Sequence, residues 1–309
     1  MNININFSIV TPVYNRADCI LRCLNSVTNQ NFSDVEHIIV NDGSTDETLE
    51  ILKIYSKNHS HVRVLNFENN KGVNAARNLA IRQCRNNYVI FLDSDDFMNY
   101  QALYIIAEKI KLYPGYLHYL FGMNDMEIYY NTNSLLNCKS REIEFSNWIK
   151  NEITGDFLHV MAREMVQLFP FNEDLRIYEA LTFMQMYKYS NRQQFIKATV
   201  VQRERDRFDS VTKQATLINS NAIKFQSEYL KKMVDLFETD FKKHNIVGLN
   251  SMINKCLIFS LALSNYNLYQ YLSKKIDKKN ILYKIIYKLK LGYFLKLAII
   301  VYSKIKNFQ

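Results

Sequence analysis

"VIFLDSDDFM", residues 89–98, runs four apolar residues directly into three carboxylates, Asp93, Asp95 and Asp96. The apolar run reads as a buried strand, and the acids mark where that strand leaves the core. Carboxylates this close raise one another's pKa and repel, so the cluster is costly unless positive charge meets it. Upstream, "FSIVTPVY" (7–14) and "VEHIIVNDGS" (35–44) read as strands ending in turns, and "VRVLNF" (62–67) as another. Helical spacing separates them. "CILRCLNSVTNQ" (19–30) places Ile20, Leu21, Leu24 and Val27 on one side, "ETLEILKIYSKN" (47–58) follows Asp46 as a candidate cap, and "GVNAARNLAIRQC" (72–84) completes the series. This alternation predicts an α/β fold, a mostly parallel central sheet with helices on both faces. Ligands gather at the carboxyl ends of such strands, where Tyr14, Asp42 and Asp93–Asp96 fall.

The later sequence is less regular. "HYLFGMNDMEIYYN" (118–131) reads as strand, "EALTFMQMYKYSN" (179–191) as helix and "QFIKATVVQRER" (194–205) as strand. Beyond about residue 216 the chain reads as helix to its end, which divides it into a domain over 1–215 and a helical region over 216–309. No signal-peptide pattern opens the chain. The five cysteines are scattered without a CxxC pair, which suits a reducing compartment, with Cys19 and Cys23 read as buried thiols on a helix.

The net charge of +9 is unevenly placed. Residues 274–309 hold ten Lys, no Arg and one acid, Asp277, and the rest of the chain balances 29 basic residues against 29 acids. This is a neutral body with a cationic tail. Ile281, Leu282, Ile285, Ile286 and Leu289 share one helical arc of about 140°, with Lys284 and Lys288 outside it, and past Leu291 the segregation degrades. Lysines beside apolar and Tyr side chains fit a helix lying on an anionic membrane; a packing helix of the body is the alternative. Without arginine or a binding motif, the charge does not point to nucleic acid.

Asp-x-Asp at a strand end suits a hard divalent cation that keeps positions open for phosphates. The alternative is a cap, Asp95 or Asp96 starting a helix in "MNYQALYIIAEKI" (98–110). "SIVTPVYNR" (8–16), "IIVNDGSTDET" (38–48), "NKGVNAARNLAI" (70–81) and "VIFLDSDD" (89–96) resemble, in order and spacing, the motifs of family 2 glycosyltransferases, bacterial inverting enzymes of the GT-A fold. The resemblance is close over residues 7–98 and looser to about 212.

It implies a metal-dependent transferase using a UDP-sugar with Mn²⁺ or Mg²⁺. The acceptor would be a glycan or lipid-linked, in bacterial surface-polysaccharide or lipopolysaccharide synthesis. The place would be the cytoplasm, peripheral on the inner face of the membrane. Thr11, Pro12 and Tyr14 would shape the base pocket, and Asp42 would accept from the base's ring N–H, which favours uracil. Lys71 and Arg77 would approach the diphosphate and ribose, Asp93 and Ser94 would line the donor, and Asp95, with Asp93, would hold the metal. Glu179 and Asp96 are the candidate catalytic acids. The family's Glu-Asp pair falls on Glu179 and Ala180 in "FPFNEDLRIYEALTF" (169–183), a departure that leaves Glu179, Asp174 or Asp156 as the base. His159 would sit near the acceptor cleft, and Arg205 and Arg207 would face the phosphates. Each has an ordinary reading as well: Tyr14 as a solvent-capped strand end, Asp42 as a turn residue, His159 as a structural imidazole, the arginines as a solvated strand. A nucleotidyltransferase would carry a Gly-rich loop after the first strand, and "TPVYNRADC" has no Gly. A catalytically impaired sugar-nucleotide-binding or scaffolding subunit is the rival that Ala180 keeps open.

Overall fold

A computed structural model of the chain describes residues 5–175, 178–204, 219–276 and 280–306. Two compact units divide it, Met1–Arg205 and Asp206–Gln309.

The first unit is built on one sheet. β1 (Phe7–Val13), β2 (Val35–Asp42), β3 (Val62–Phe67) and β4 (Tyr88–Phe91) pair in the order β3-β2-β1-β4, all parallel. Alternation along each strand sorts two cores. Phe7, Ile9, Ile39 and Ile90 face α1 (Ile20–Thr28), α2 (Thr48–Asn58) and α4 (Ala102–Leu112). Val10, Ile38, Val40 and Val89 face α3 (Val73–Gln83), α7 (Arg163–Leu168) and α8 (Ala180–Ser190). In α1 the buried stripe takes Cys23 in place of the expected Leu21, which stays exposed; Cys19 is half-buried. Asp46 accepts from the Thr48 and Ala17 backbone N–H groups, tying the start of α2 to the end of β1.

The second half of the sheet departs from the parallel expectation. β8 (Leu158–Ala162) joins β4 antiparallel, β6 (His118–Met123) joins β8 antiparallel, and β9 (Arg192–Gln202) runs parallel to β6. β5 (Phe97–Met98) and β7 (Ser140–Glu144) add antiparallel to β9. The strand expected over 118–131 stops at Met123. Asn124 turns the chain there, its side chain bonding both the N–H and the C=O of Arg203, and α5 (Glu127–Thr132) follows a single 3₁₀ turn. Neither Asp95 nor Asp96 caps a helix: α4 starts at Ala102 after Gln101, and the acids lead into β5 instead. Short α6 (Phe145–Ile149) completes this unit.

The second unit is helical among its described residues: α9 (Ser220–His244), α10 (Ile246–Ala262), α11 (Tyr266–Ser273), α12 (Ile281–Lys288) and α13 (Gly292–Lys306). Asn219, Asn245, Asn265 and Asn280 each cap the helix that follows by accepting a backbone N–H. No described helix is long and apolar enough to cross a membrane.

His37, on β2, is fully buried between the sheet and α1, with Nε2 bonded to the Thr11 hydroxyl and Nδ1 without a partner. Burial, and then the nearby His61, hold its pKa at about 3 against an ordinary 6.5. The unfolded chain therefore takes up a proton that the native state refuses, and this residue's share of stability is lost as pH falls below 6.5. Between about pH 7 and about pH 5, wild type should lose about 2 kcal/mol more than His37→Gln in urea denaturation. Equal losses would contradict a neutral buried imidazole.

Candidate active site

Strand direction gathers the chemistry at one edge of the sheet. β1, β2 and β4 end there at Tyr14, Asp42 and Asp93; β6 and β9, parallel to β4 through β8, end there at Asp125 and Arg203. Antiparallel β8 starts there, just after Asp156, with His159 beside the end of β4. The strand order also reverses between β1 and β4, the switch point at which open α/β sheets take their ligands.

Asp42 is buried, and its carboxylate accepts from the N–H groups of Lys71 (2.7 Å) and Gly72 (2.9 Å). Those bonds draw the loop before α3 against the end of β2. The approach is close enough that a Cβ on Gly43 would lie 2.6 Å from the Asn69 backbone, and Gly43 also has φ +70. Tyr14 stands exposed at the end of β1. Pro12 and Thr11 are buried in the strand, Thr11 with its hydroxyl on His37, so they support this end from beneath. The Lys71 ammonium rests over the Phe67 ring at 4.5 Å.

The positive charge that the acidic cluster requires comes from arginines. Arg77, expected on a helix face near small residues, is buried on α3 against Phe91 and Phe171. Its Nη2 donates to Asp93 at 3.1 Å and its Nη1 to Glu179, the residue that precedes α8. Burial works against its charge, Glu179 and Asp93 outweigh that, and the pKa is raised. Its Nε is buried without a partner. Arg16 lies 3.9 Å from the Asp95 carboxylate, and Arg22 donates to the Asp95 carbonyl at 2.9 Å.

Asp96 and Ser94 are buried while Asp93 is open to solvent. Burial, then Asp93 and Asp95, push the Asp96 pKa up to about 8 even though Arg203 opposes the rise, so Asp96 holds a proton at neutral pH. β5 pairs Phe97 with Gln202, which sets Asp96 beside Arg203. Arg203 in turn bridges Asp156 (3.1 Å) and Asp125 (3.8 Å). It went unremarked in the sequence because "QRERDRF" offers three arginines at alternate positions; Arg205 and Arg207 lie outside the described residues.

His159, on β8, packs against α8, its ring stacked at 4.5 Å on Phe183, one turn beyond Glu179. His118 Nε2 and His159 Nδ1 are 2.9 Å apart, and His118 Nδ1 is buried with no partner. A proton on that Nδ1 would be an unsatisfied buried donor, so the favoured tautomer has His118 donating through Nε2 and His159 carrying its proton on Nε2. Burial lowers the His159 pKa to about 4. At neutral pH His159 is thus a hydrogen-bond donor and not a cation. Asp174 is exposed in the turn before α8.

Asp93 and Asp95 present hard oxygen donors at the end of β4. Among the described residues no group of three His, Cys, Asp or Glu side chains is arranged to hold a metal ion alone. Two carboxylates completed by substrate phosphates are a recurrent donor set for Mg²⁺ in nucleotide enzymes, and these residues fit it.

The family model for glycosyl transferase family 2 matches residues 8–166. The chain is 42% identical over 104 residues to the chondroitin synthase of Escherichia coli, a match covering 34% of this chain and 15% of that one. It is 27% identical over 186 residues to the GalNAc(5)-diNAcBac-PP-undecaprenol beta-1,3-glucosyltransferase of Campylobacter jejuni, covering 59% of each. The chain thus spans less than two thirds of either relative's length. Staphylococcus aureus TarS 1–349 in complex with UDP-GlcNAc shares the fold, with TM-score 0.63, 21% identity and coverage of 94% of this chain and 80% of that one. So does the mannosyltransferase PcManGT of Pyrobaculum calidifontis in complex with GDP-Man and Mn²⁺, with TM-score 0.58, 14% identity and coverage of 97% and 88%. With the matched segment spanning all the strands β1 to β4 and their acidic ends, and with the GT-A arrangement around them, the chain belongs to glycosyl transferase family 2.

Proposed function

We propose that the protein is a metal-dependent inverting glycosyltransferase that moves a sugar from a UDP-sugar to a glycan or lipid-linked acceptor. It would serve bacterial surface-polysaccharide or lipopolysaccharide assembly at the inner face of the cytoplasmic membrane. The observation that carries this reading is the meeting of Asp42, Arg77, Asp93, Asp95 and Glu179 at one sheet edge in a chain of this family. Complexes of fold neighbours with UDP-GlcNAc and with GDP-Man and Mn²⁺ support a nucleotide-sugar donor and a divalent metal.

Tyr14 gives the base an aromatic face, and Asp42 would accept from the uracil ring N–H. Asp95 and Asp93 would hold Mn²⁺ or Mg²⁺, which when bound neutralises charge building on the departing diphosphate. Arg77 keeps Asp93 aimed and Lys71 adds a mobile cation beside the phosphates. Glu179 is the base in this reading. It takes the proton of the acceptor hydroxyl while that oxygen attacks the anomeric carbon opposite UDP, and the bond to UDP breaks as the new one forms. Asp96, buried beside Asp95, supports the metal-side loop from below.

Two features favour the second reading, a sugar-nucleotide-binding subunit without turnover: Ala180 replaces an acid, and Glu179 is engaged by Arg77. Transfer assays separate the two.

Calorimetry with Mn²⁺ should show UDP binding at least about tenfold tighter than ADP, whose base has no ring N–H to offer Asp42, and tighter than GDP, whose ring N–H sits on a larger bicyclic base that a pyrimidine-sized pocket does not admit. Equal affinities would remove the uracil assignment. Asp95→Ala should abolish metal-dependent UDP binding with an unchanged circular dichroism spectrum; full turnover of that variant, or of wild type in excess chelator, would overturn the metal site. Glu179→Gln should lose at least about 10²-fold in transfer with UDP affinity retained. Retained transfer in Glu179→Gln, with loss in Asp156→Asn or Asp174→Asn, would move the base. Wild type that binds UDP and transfers no sugar would establish the binding subunit.

A further inference from the structure

The last helix has apolar residues on every side and Lys296 among them, so its sequence shows no clean amphipathic pattern, yet the structure gives it two unlike faces. One packs on α10, so closely that a Cβ on Gly292 would lie 2.2 Å from the Leu261 carbonyl oxygen. The other presents Tyr293, Phe294, Leu297, Ala298, Val301 and Tyr302, spaced i, i+1, i+4, i+5, i+8, i+9, all exposed to solvent. The five larger side chains are 43–69% exposed, and no lysine interrupts the stripe. α12 repeats the pattern on a smaller scale. It buries Ile286 and leaves Ile281, Leu282, Ile285 and Leu289 open, flanked by exposed Lys284 and Lys288. Past Leu291, where the residue types no longer segregate, packing and not residue type separates the faces.

We propose that the Tyr293–Tyr302 stripe of α13, with the exposed arc of α12, is a docking surface for an anionic phospholipid membrane. An open apolar stripe of this size on a helix normally finds a partner. Charge selects which one. The tail's ten lysines against one acid make a second copy of the same face repulsive, whereas an anionic lipid surface attracts it. Tyr293, Phe294 and Tyr302 place aromatic rings where headgroups meet acyl chains, and the lysines of α12 and of the turn at Lys290 reach the headgroups. Nucleic acid fits poorly, since the exposed stripe itself is uncharged. Such a face would serve the membrane-side acceptor proposed above. Its test is read with neither donor nor acceptor present, so its failure would leave the transfer reaction standing, and an inactive enzyme would leave the surface standing.

The full chain should co-sediment with phosphatidylglycerol-containing vesicles and not with pure phosphatidylcholine, and raised salt should weaken the binding. Phe294→Glu with Val301→Glu should lower the apparent lipid affinity by more than about tenfold, at unchanged thermal stability. Lys284→Gln with Lys288→Gln and Lys290→Gln should lower it on anionic vesicles alone. Wild type that ignores anionic vesicles, variants that bind like wild type, or a solution dimer that the glutamate pair dissociates would each overturn the proposal.

Discussion

Arg77 holds the candidate site together. A guanidinium buried on α3 would be intolerable alone, and two carboxylates facing each other across a sheet edge would repel. Together they form a bridge from the end of β4 through Asp93 to the start of α8 through Glu179. Both acids are partly open to water, which screens the pairs, so removing either acid costs less than a fully buried pair would imply. Removing the arginine is worse. It breaks both pairs at once and leaves two like charges in place, whose repulsion solvent screens in part.

A second arginine repeats the device on the far side of the acidic loop. Arg203 joins Asp125 after β6 to Asp156 before β8, and its charge offsets part of the burial that Asp96 suffers. The acidic loop is thereby anchored on both flanks while Asp93 and Asp95 stay at the surface. Carboxylates fixed in position, partly neutralised and open to solvent are prepared for a cation that arrives with phosphates.

Much of this was legible in the sequence, for local reasons. Each of the first four strands is a short apolar run that ends in a polar turn, and parallel topology then forces Tyr14, Asp42 and Asp93 to one edge. Arg77 stood out because Ala75 and Ala76 leave room for burial, although its carboxylate partners lie 16 and 102 residues away and no spacing reveals them. Arg203 and the antiparallel second half depend on long-range pairing that local pattern does not encode. The "MEIYYN" segment alternates plausibly as strand and folds as helix because Tyr130 buries its ring against Phe157 and Phe195 and donates to the Asp156 carbonyl. On α13 apolar residues fall on every side, with Lys296 among them, so only docking on α10 distinguishes the covered face from the open one.

A double-mutant cycle on Arg77→Met and Glu179→Gln, read by urea denaturation, tests the central bridge most directly. If Arg77 ties the two halves of the site as the geometry indicates, each single change destabilises. The pair together then costs less than the sum of the two, with a coupling of about 1–3 kcal/mol. Strict additivity would mean that Arg77 and Glu179 do not interact in solution, and the site would have to be organised in some other way.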